Sequence, residues 1–168
     1  TKTHHFNQLI QHTDARLLDT RKTTPNFRML EKWAVAIGGG QNHRYALYDM
    51  IMLKDNHIDF AGGIAEAINA TNAYLKKNRL DLKVEIETRN LKEVKAVLDN
   101  MSPKEMKEAV ALIDKQYITE ASGGINENTI VDVAESGVDF ISVGALTHQV
   151  QSLDISLKAV KYHPQTAD

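Results

Sequence analysis

Short apolar runs of strand character alternate with segments of helical period along this chain, and most of the strand-like runs end in charged residues or glycines. Residues 15–20, 50–53, 82–87, 117–121 and 138–143 read as strands, the third by strict alternation of Leu82, Val84 and Ile86 with Lys83, Glu85 and Glu87. Between them, Phe6, Leu9 and Ile10, then Leu30, Trp33, Ala34 and Ile37, then Ile64, Ile68, Thr71 and Leu75 recur at helical spacing. Asn90 and Glu93 are placed as a capping box for a helix from Leu91, and Ser102, Pro103 and Glu105 as another. Asn126 is placed to cap a last helix carrying Ile130, Val133 and Ala134, closed by Gly137. Repeated strand–helix units predict an α/β fold, a parallel sheet with helices outside it. Trp33, Met50 and Met52 are expected in the core.

One place interrupts the rhythm. The helix from Leu91 runs into Leu98-Asp99-Asn100, and Ser102 opens another helix at once, so only Val97 and Leu98 remain to supply a strand. Either two helices abut there, or a residue run and with it one internal strand is missing.

Composition narrows the function classes. Twenty basic against 22 acidic side chains argue against a general nucleic-acid or membrane-surface binder. No apolar run approaches the roughly 20 residues needed to cross a bilayer. With no cysteine, disulfides, thiolate metal sites and a cysteine nucleophile are excluded, and a reducing, cytoplasmic setting is expected. His4, His5 and His12 fall on a polar N-terminal helix and are expected to be exposed. The start at Thr1, with neither methionine nor an apolar signal core, reads as a cut.

In parallel α/β proteins, sites form at the C-terminal ends of strands. Arg21, Lys22, His43, Arg44 and Lys54 fall at such ends or in the glycine-rich connection before the second strand, making a cationic floor suited to a multiply charged anion. Ser122-Gly123-Gly124 and Gly144-Ala145 follow the last two strands, where backbone N–H groups can approach a phosphate. Glu87 and Asp99 could hold Mg²⁺. Each has a plainer reading: Arg21-Lys22 as a solvated pair, Lys54-Asp55 as a surface ion pair, Glu85 and Glu87 as a solvent-facing strand edge. No Ser–His–Asp arrangement is evident.

At these residues the chain resembles the nicotinate-nucleotide pyrophosphorylase (carboxylating) family, the quinolinate phosphoribosyltransferases. The resemblance rests on Leu18-Asp19-Thr20-Arg21-Lys22-Thr23-Thr24-Pro25, Gly38-Gly39-Gly40-Gln41-Asn42-His43-Arg44, Lys54-Asp55-Asn56-His57-Ile58, Val84-Glu85-Ile86-Glu87, Leu98-Asp99-Asn100, Ala121-Ser122-Gly123-Gly124-Ile125 and Ile141-Ser142-Val143-Gly144-Ala145-Leu146-Thr147, in that order along nearly the whole chain. It implies an incomplete TIM-like α/β barrel over residues 1–168, the family's N-terminal α/β domain being absent. It also implies conversion of quinolinate and phosphoribosyl pyrophosphate, with Mg²⁺, to nicotinate mononucleotide, pyrophosphate and CO₂, in a homodimer or higher homo-oligomer. By resemblance, Arg21, His43 and Arg44 bind the quinolinate carboxylates, and Lys22 and Lys54 line the junction of the two substrates. Glu87 and Asp99 serve the ribose and metal end, and Ser122, Gly123 and Gly144 cradle the 5′-phosphate. Lys54, Glu87 and Asp99 are the expected catalytic residues. The alternatives are a molybdenum-transport-associated paralogue, a phosphate-binding barrel enzyme of another reaction type, and a truncated domain that binds phosphoribosyl groups without turnover.

Overall fold

A computed structural model of the chain describes residues 1–88 and 101–148, together with the backbone of 97–99. The expected Asn90 capping box and the helix from Leu91 lie outside the described residues. Helix α1 (Lys2–Ile10) leads into strand β1 (Arg16–Leu18), followed by α2 (Arg28–Ile37), β2 (Ile51–Leu53), α3 (Asp55–Ala61) and α4 (Ile64–Asn78). Then come β3 (Val84–Thr88), β4 (Val97–Asp99), α5 (Pro103–Ile113), β5 (Glu120–Ser122), α6 (Ile130–Ala134) and β6 (Phe140–Ser142), ending in a 3₁₀ turn at Gly144–Leu146.

The strands form one sheet in the order β1-β6-β5-β4-β3-β2, with every pairing parallel. Gln41 bridges the free edge of β1 through Leu18, so the curved sheet continues by one residue towards β2. This is the incomplete barrel the resemblance implies. The expectation of a missing internal strand is corrected by β4: Val97 pairs with Glu87 on one side and Glu120 on the other, and Asp99 lies opposite Ser122. Three residues are enough, because a central strand is bonded along both edges.

Two apolar clusters pack the helices onto the sheet. Phe6, Ile10, Leu17, Met106, Ala109, Ala121, Ile130 and Ile141 belong to the larger, between α1, α5, α6 and the strands. Leu53 and Ile86 meet Ile58 and Ala67 in the smaller, under α3 and α4. Ser102 caps α5 reciprocally with Glu105, as its spacing predicts. Asn126 instead closes the turn before α6: its Oδ1 accepts from the Asn128 N–H at 2.9 Å, and Thr129 takes the cap position.

The expected core positions are corrected at three residues. Trp33 is 63% exposed, with Met29, Leu30 and Ile37 exposed beside it, and α2 buries Glu31, Lys32 and Val35 instead. The polar residues of that face carry the bonds described below, so the apolar stripe turns outward. Met50 and Met52 are half-buried and belong to neither cluster; strand alternation turns Met52 to the inner face of the sheet, opposite Leu53.

Candidate functional site

Strand period two divides the sheet into a packed face and an open one. Leu53, Ile86, Ala121 and Ile141 point to the helices, whereas Met52, Glu85, Glu87, Glu120, Ser122 and Ser142 point into a cavity of about 740 Å³. The structure brings Arg21, Lys22, His43, Arg44, Lys54, Glu87, Ser122, Gly123 and Gly144 to this cavity. The side chain of Asp99 lies outside the described residues, although its backbone sits in register with Ser122. Glu85 and Glu87 are half-buried on an internal strand, which overturns the solvent-edge reading.

The cations arrive on two loops. The segment after β1 carries Arg21 and Lys22 and is pinned by its carbonyls: Arg28 Nη2 donates to Arg21 O at 3.0 Å, and Thr147 Oγ1 donates to Lys22 O at 2.8 Å. The Arg21 guanidinium makes no hydrogen bond or ion pair among the described residues, and its pKa is depressed by partial burial and by the charges of Arg44 and Arg28, against the weaker opposing pull of Asp49. Arg44 is only 9% exposed; it donates to Met50 O at 3.2 Å and to Met52 Sδ at 3.4 Å, with no carboxylate paired to it among the described residues. A guanidinium buried against neutral acceptors calls for an anion. Lys54, at the end of β2, is hydrogen-bonded to Glu87 at the end of β3 rather than to Asp55.

His43 is held on every side. Its backbone N–H donates to Asp19 Oδ1 at 2.9 Å and its carbonyl accepts from Lys32 Nζ at 3.0 Å. Lys32 and Asp19, both buried, are themselves paired at 2.5 Å, and the Asn42 amide donates to Asp19 Oδ2 at 2.7 Å. Burial raises the Asp19 pKa, against the opposing pull of Lys32 and the His43 N–H. On the imidazole, Nδ1 accepts from the Arg44 N–H at 2.7 Å, so the ring proton sits on Nε2, 2.8 Å from Glu85 and 3.5 Å from Glu120. Burial would lower the pKa of His43, but the Glu85 hydrogen bond and the charges of Glu120 and Glu85 raise it.

Glu120 also accepts from Ser142 Oγ at 2.5 Å, and burial, reinforced by the Glu85 charge, pushes its pKa up to about 7. His43, Glu85 and Glu120 lie close enough to hold a metal ion. The proton on Nε2 argues against it, because the imidazole faces the carboxylates as a donor rather than with a lone pair. Glu87, the carboxylate expected to hold Mg²⁺, lines the cavity and is paired with Lys54.

At the other end of the cavity, Gly123 and Gly124 take consecutive left-handed conformations (φ +91° and +64°). A Cβ on Gly144 would lie 2.6 Å from His148 Nε2, so glycine lets the imidazole close over the backbone. Sequence reasoning missed Glu120 and Ser142 as site residues. Period two carries the signal, since each lies two positions before an expected site residue, Ser122 and Gly144. For Lys32 the helical stripe carries none.

Residues 1–158 match the family model described as quinolinate phosphoribosyl transferase, C-terminal domain. The chloroplastic nicotinate-nucleotide pyrophosphorylase [carboxylating] of Arabidopsis thaliana is 47% identical over 86% of this chain and 48% of its own length. The probable enzyme of that name from Methanocaldococcus jannaschii is 41% identical over 89% and 57%. Among solved structures, NadC from Streptococcus pyogenes superposes with a TM-score of 0.87 at 38% identity, covering 94% of this chain and 57% of that one. The nicotinate-nucleotide pyrophosphorylase from Francisella tularensis gives 0.82 at 42%, covering 89% and 55%. The chain thus spans about half the length of the relatives it matches.

Proposed function

This chain belongs to the quinolinate phosphoribosyl transferase family through its C-terminal domain, and on that premise we propose that the protein joins quinolinate to phosphoribosyl pyrophosphate, releasing pyrophosphate and CO₂ and forming nicotinate mononucleotide. The observation that carries this reading is the pair of guanidiniums, Arg21 and Arg44, that face one cavity with no carboxylate hydrogen-bonded to either among the described residues. Two such forks suit a dianion better than a pyridine with one carboxylate. The names of the relatives favour this reading over a molybdenum-transport paralogue.

Arg21, His43 and Arg44 bind the two carboxylates, and Lys22 and Lys54 lie between these and the phosphoribosyl group. Ser122, Gly123 and Gly144 receive the 5′-phosphate with backbone N–H groups. As the C1–O bond to pyrophosphate breaks, the ribose gains oxocarbenium character, which the Glu87 carboxylate stabilises. Glu87 and, by resemblance, Asp99 would hold Mg²⁺, which when bound would supply positive charge opposite the leaving pyrophosphate. The ring nitrogen supplies the electron pair that forms the new C1–N bond. Its positive charge then stabilises the pair left on C2 when CO₂ departs, and a proton fills that position. No covalent enzyme intermediate is required.

The outward apolar face of α2, with Met29, Trp33 and Ile37, supports a homodimer or higher homo-oligomer. No helix among the described residues is long and apolar enough to cross a membrane, and the absence of cysteine supports a reducing compartment such as the cytoplasm. Calorimetric titration with quinolinate, and separately with phosphoribosyl pyrophosphate and Mg²⁺, tests the reading. Arg21→Ala in the full-length protein is expected to lose quinolinate binding and keep the phosphoribosyl site. Equal loss of both, or no binding of either by the wild type, contradicts it.

A further inference from the structure

A lysine 2% exposed on a helix face is unusual, since an ammonium taken out of water must recover its hydration from specific partners. Lys32 recovers it from two acceptors, Asp19 Oδ1 and the carbonyl of His43. Asp19 in turn accepts the N–H of the same residue, His43. One ion pair therefore grips both backbone polar groups of His43, and Asn42 completes the grip through the second Asp19 oxygen. Buried pairs of this kind add little stability beyond what apolar residues of equal volume would give; what they supply is a defined geometry.

The consequence runs to the next residue. With the His43 backbone fixed, its Nδ1 takes the Arg44 N–H, and the Arg44 guanidinium reaches Met50 O and Met52 Sδ. The other cationic loop has direct holds of its own, Arg28 on Arg21 O and Thr147 on Lys22 O, and meets Lys32 only through Asp19 two residues before Arg21. We propose that Lys32, from behind the cavity, is a positioning residue for substrate-carboxylate recognition, acting through the His43–Arg44 backbone. Lys32 is not among the residues that line the cavity. The inference rests on the assignment of quinolinate as substrate.

Steady-state kinetics of the full-length protein separate the two. Turnover of quinolinate by the wild type is measured first, and its absence sinks the substrate assignment whatever Lys32 does. Lys32→Met is expected to raise KM for quinolinate about tenfold or more while KM for phosphoribosyl pyrophosphate stays within about twofold. Lys32→Arg, which keeps the charge and donors, is expected to restore most of the loss. If Lys32→Met fails to fold, Asn42→Ala decides, since it removes one bond to Asp19 from an exposed position. A selective rise in KM for quinolinate supports the proposal. Parallel changes in both KM values, or a fall in kcat with both unchanged, overturn it.

Discussion

Lys54 and Glu87 are hydrogen-bonded across the ends of neighbouring parallel strands, each one position beyond the register pair Leu53–Ile86. Parallel alignment puts the two side chains on one level of the cavity wall, where the carboxylate orients the ammonium. Glu87→Gln leaves the shape and removes the charge. Its kcat is expected to fall about a hundredfold, with KM for quinolinate changed less than about threefold. Steady-state assays check this, and a rise in quinolinate KM with kcat intact would count against a role at the ribose.

Arg44→Lys tests whether a point charge can replace a fork. The ammonium cannot reach Met50 O and Met52 Sδ while also presenting two parallel donors to a carboxylate. Quinolinate affinity is expected to drop about tenfold or more by calorimetry, and phosphoribosyl pyrophosphate affinity to hold. Unchanged quinolinate binding would remove Arg44 from the recognition set.

Glu120 makes stability depend on pH in a definite direction. Its folded pKa of about 7 lies above the ordinary glutamate value of 4.5, so the folded state holds a proton that the unfolded chain has released. The associated stability is present below about pH 4.5 and is lost as pH rises through 7. His43, also raised, adds to the same trend. Glu120→Gln mimics the protonated acid, so its Tm should match the wild type near pH 5 and exceed it by about a few degrees at pH 8. Thermal unfolding across that range decides, and a constant difference would mean that Glu120 does not titrate there.

Gly144→Ala brings a Cβ to 2.6 Å from His148 Nε2, and the ring must swing aside. Because both residues line the end of the cavity assigned to the 5′-phosphate, KM for phosphoribosyl pyrophosphate should rise about tenfold with quinolinate binding unaffected. Separate titrations of the two substrates distinguish this from general loss of fold.

The site was legible where chemistry coincides with strand ends. Arg21, Lys22 and Lys54 follow short apolar runs, so the α/β rule for site location was enough to place them. Helix α2 was harder to read: Leu30, Trp33 and Ile37 form an apolar stripe that periodicity assigns to the core, yet the buried face carries Glu31 and Lys32. Periodicity reports which residues share a face and is silent on which face is covered; here ion pairing and Thr24 N–H donation to Glu31 fill the inner one. Glu120 escaped because a lone acid before Ala121 looks like any strand opening, and its meaning comes from His43 and Glu85, distant in sequence. Strand β4 looked too short to exist, although pairing along both edges lets three residues suffice.

The central claim is that two guanidiniums, neither bonded to a carboxylate among the described residues, select a dicarboxylate for phosphoribosyl transfer with decarboxylation. The most direct measurement follows CO₂ and pyrophosphate together in full-length protein given quinolinate, phosphoribosyl pyrophosphate and Mg²⁺. The account predicts one CO₂ per pyrophosphate, nicotinate mononucleotide as product, and no comparable turnover with nicotinate in place of quinolinate. Pyrophosphate release without CO₂, or equal turnover of nicotinate, would contradict it.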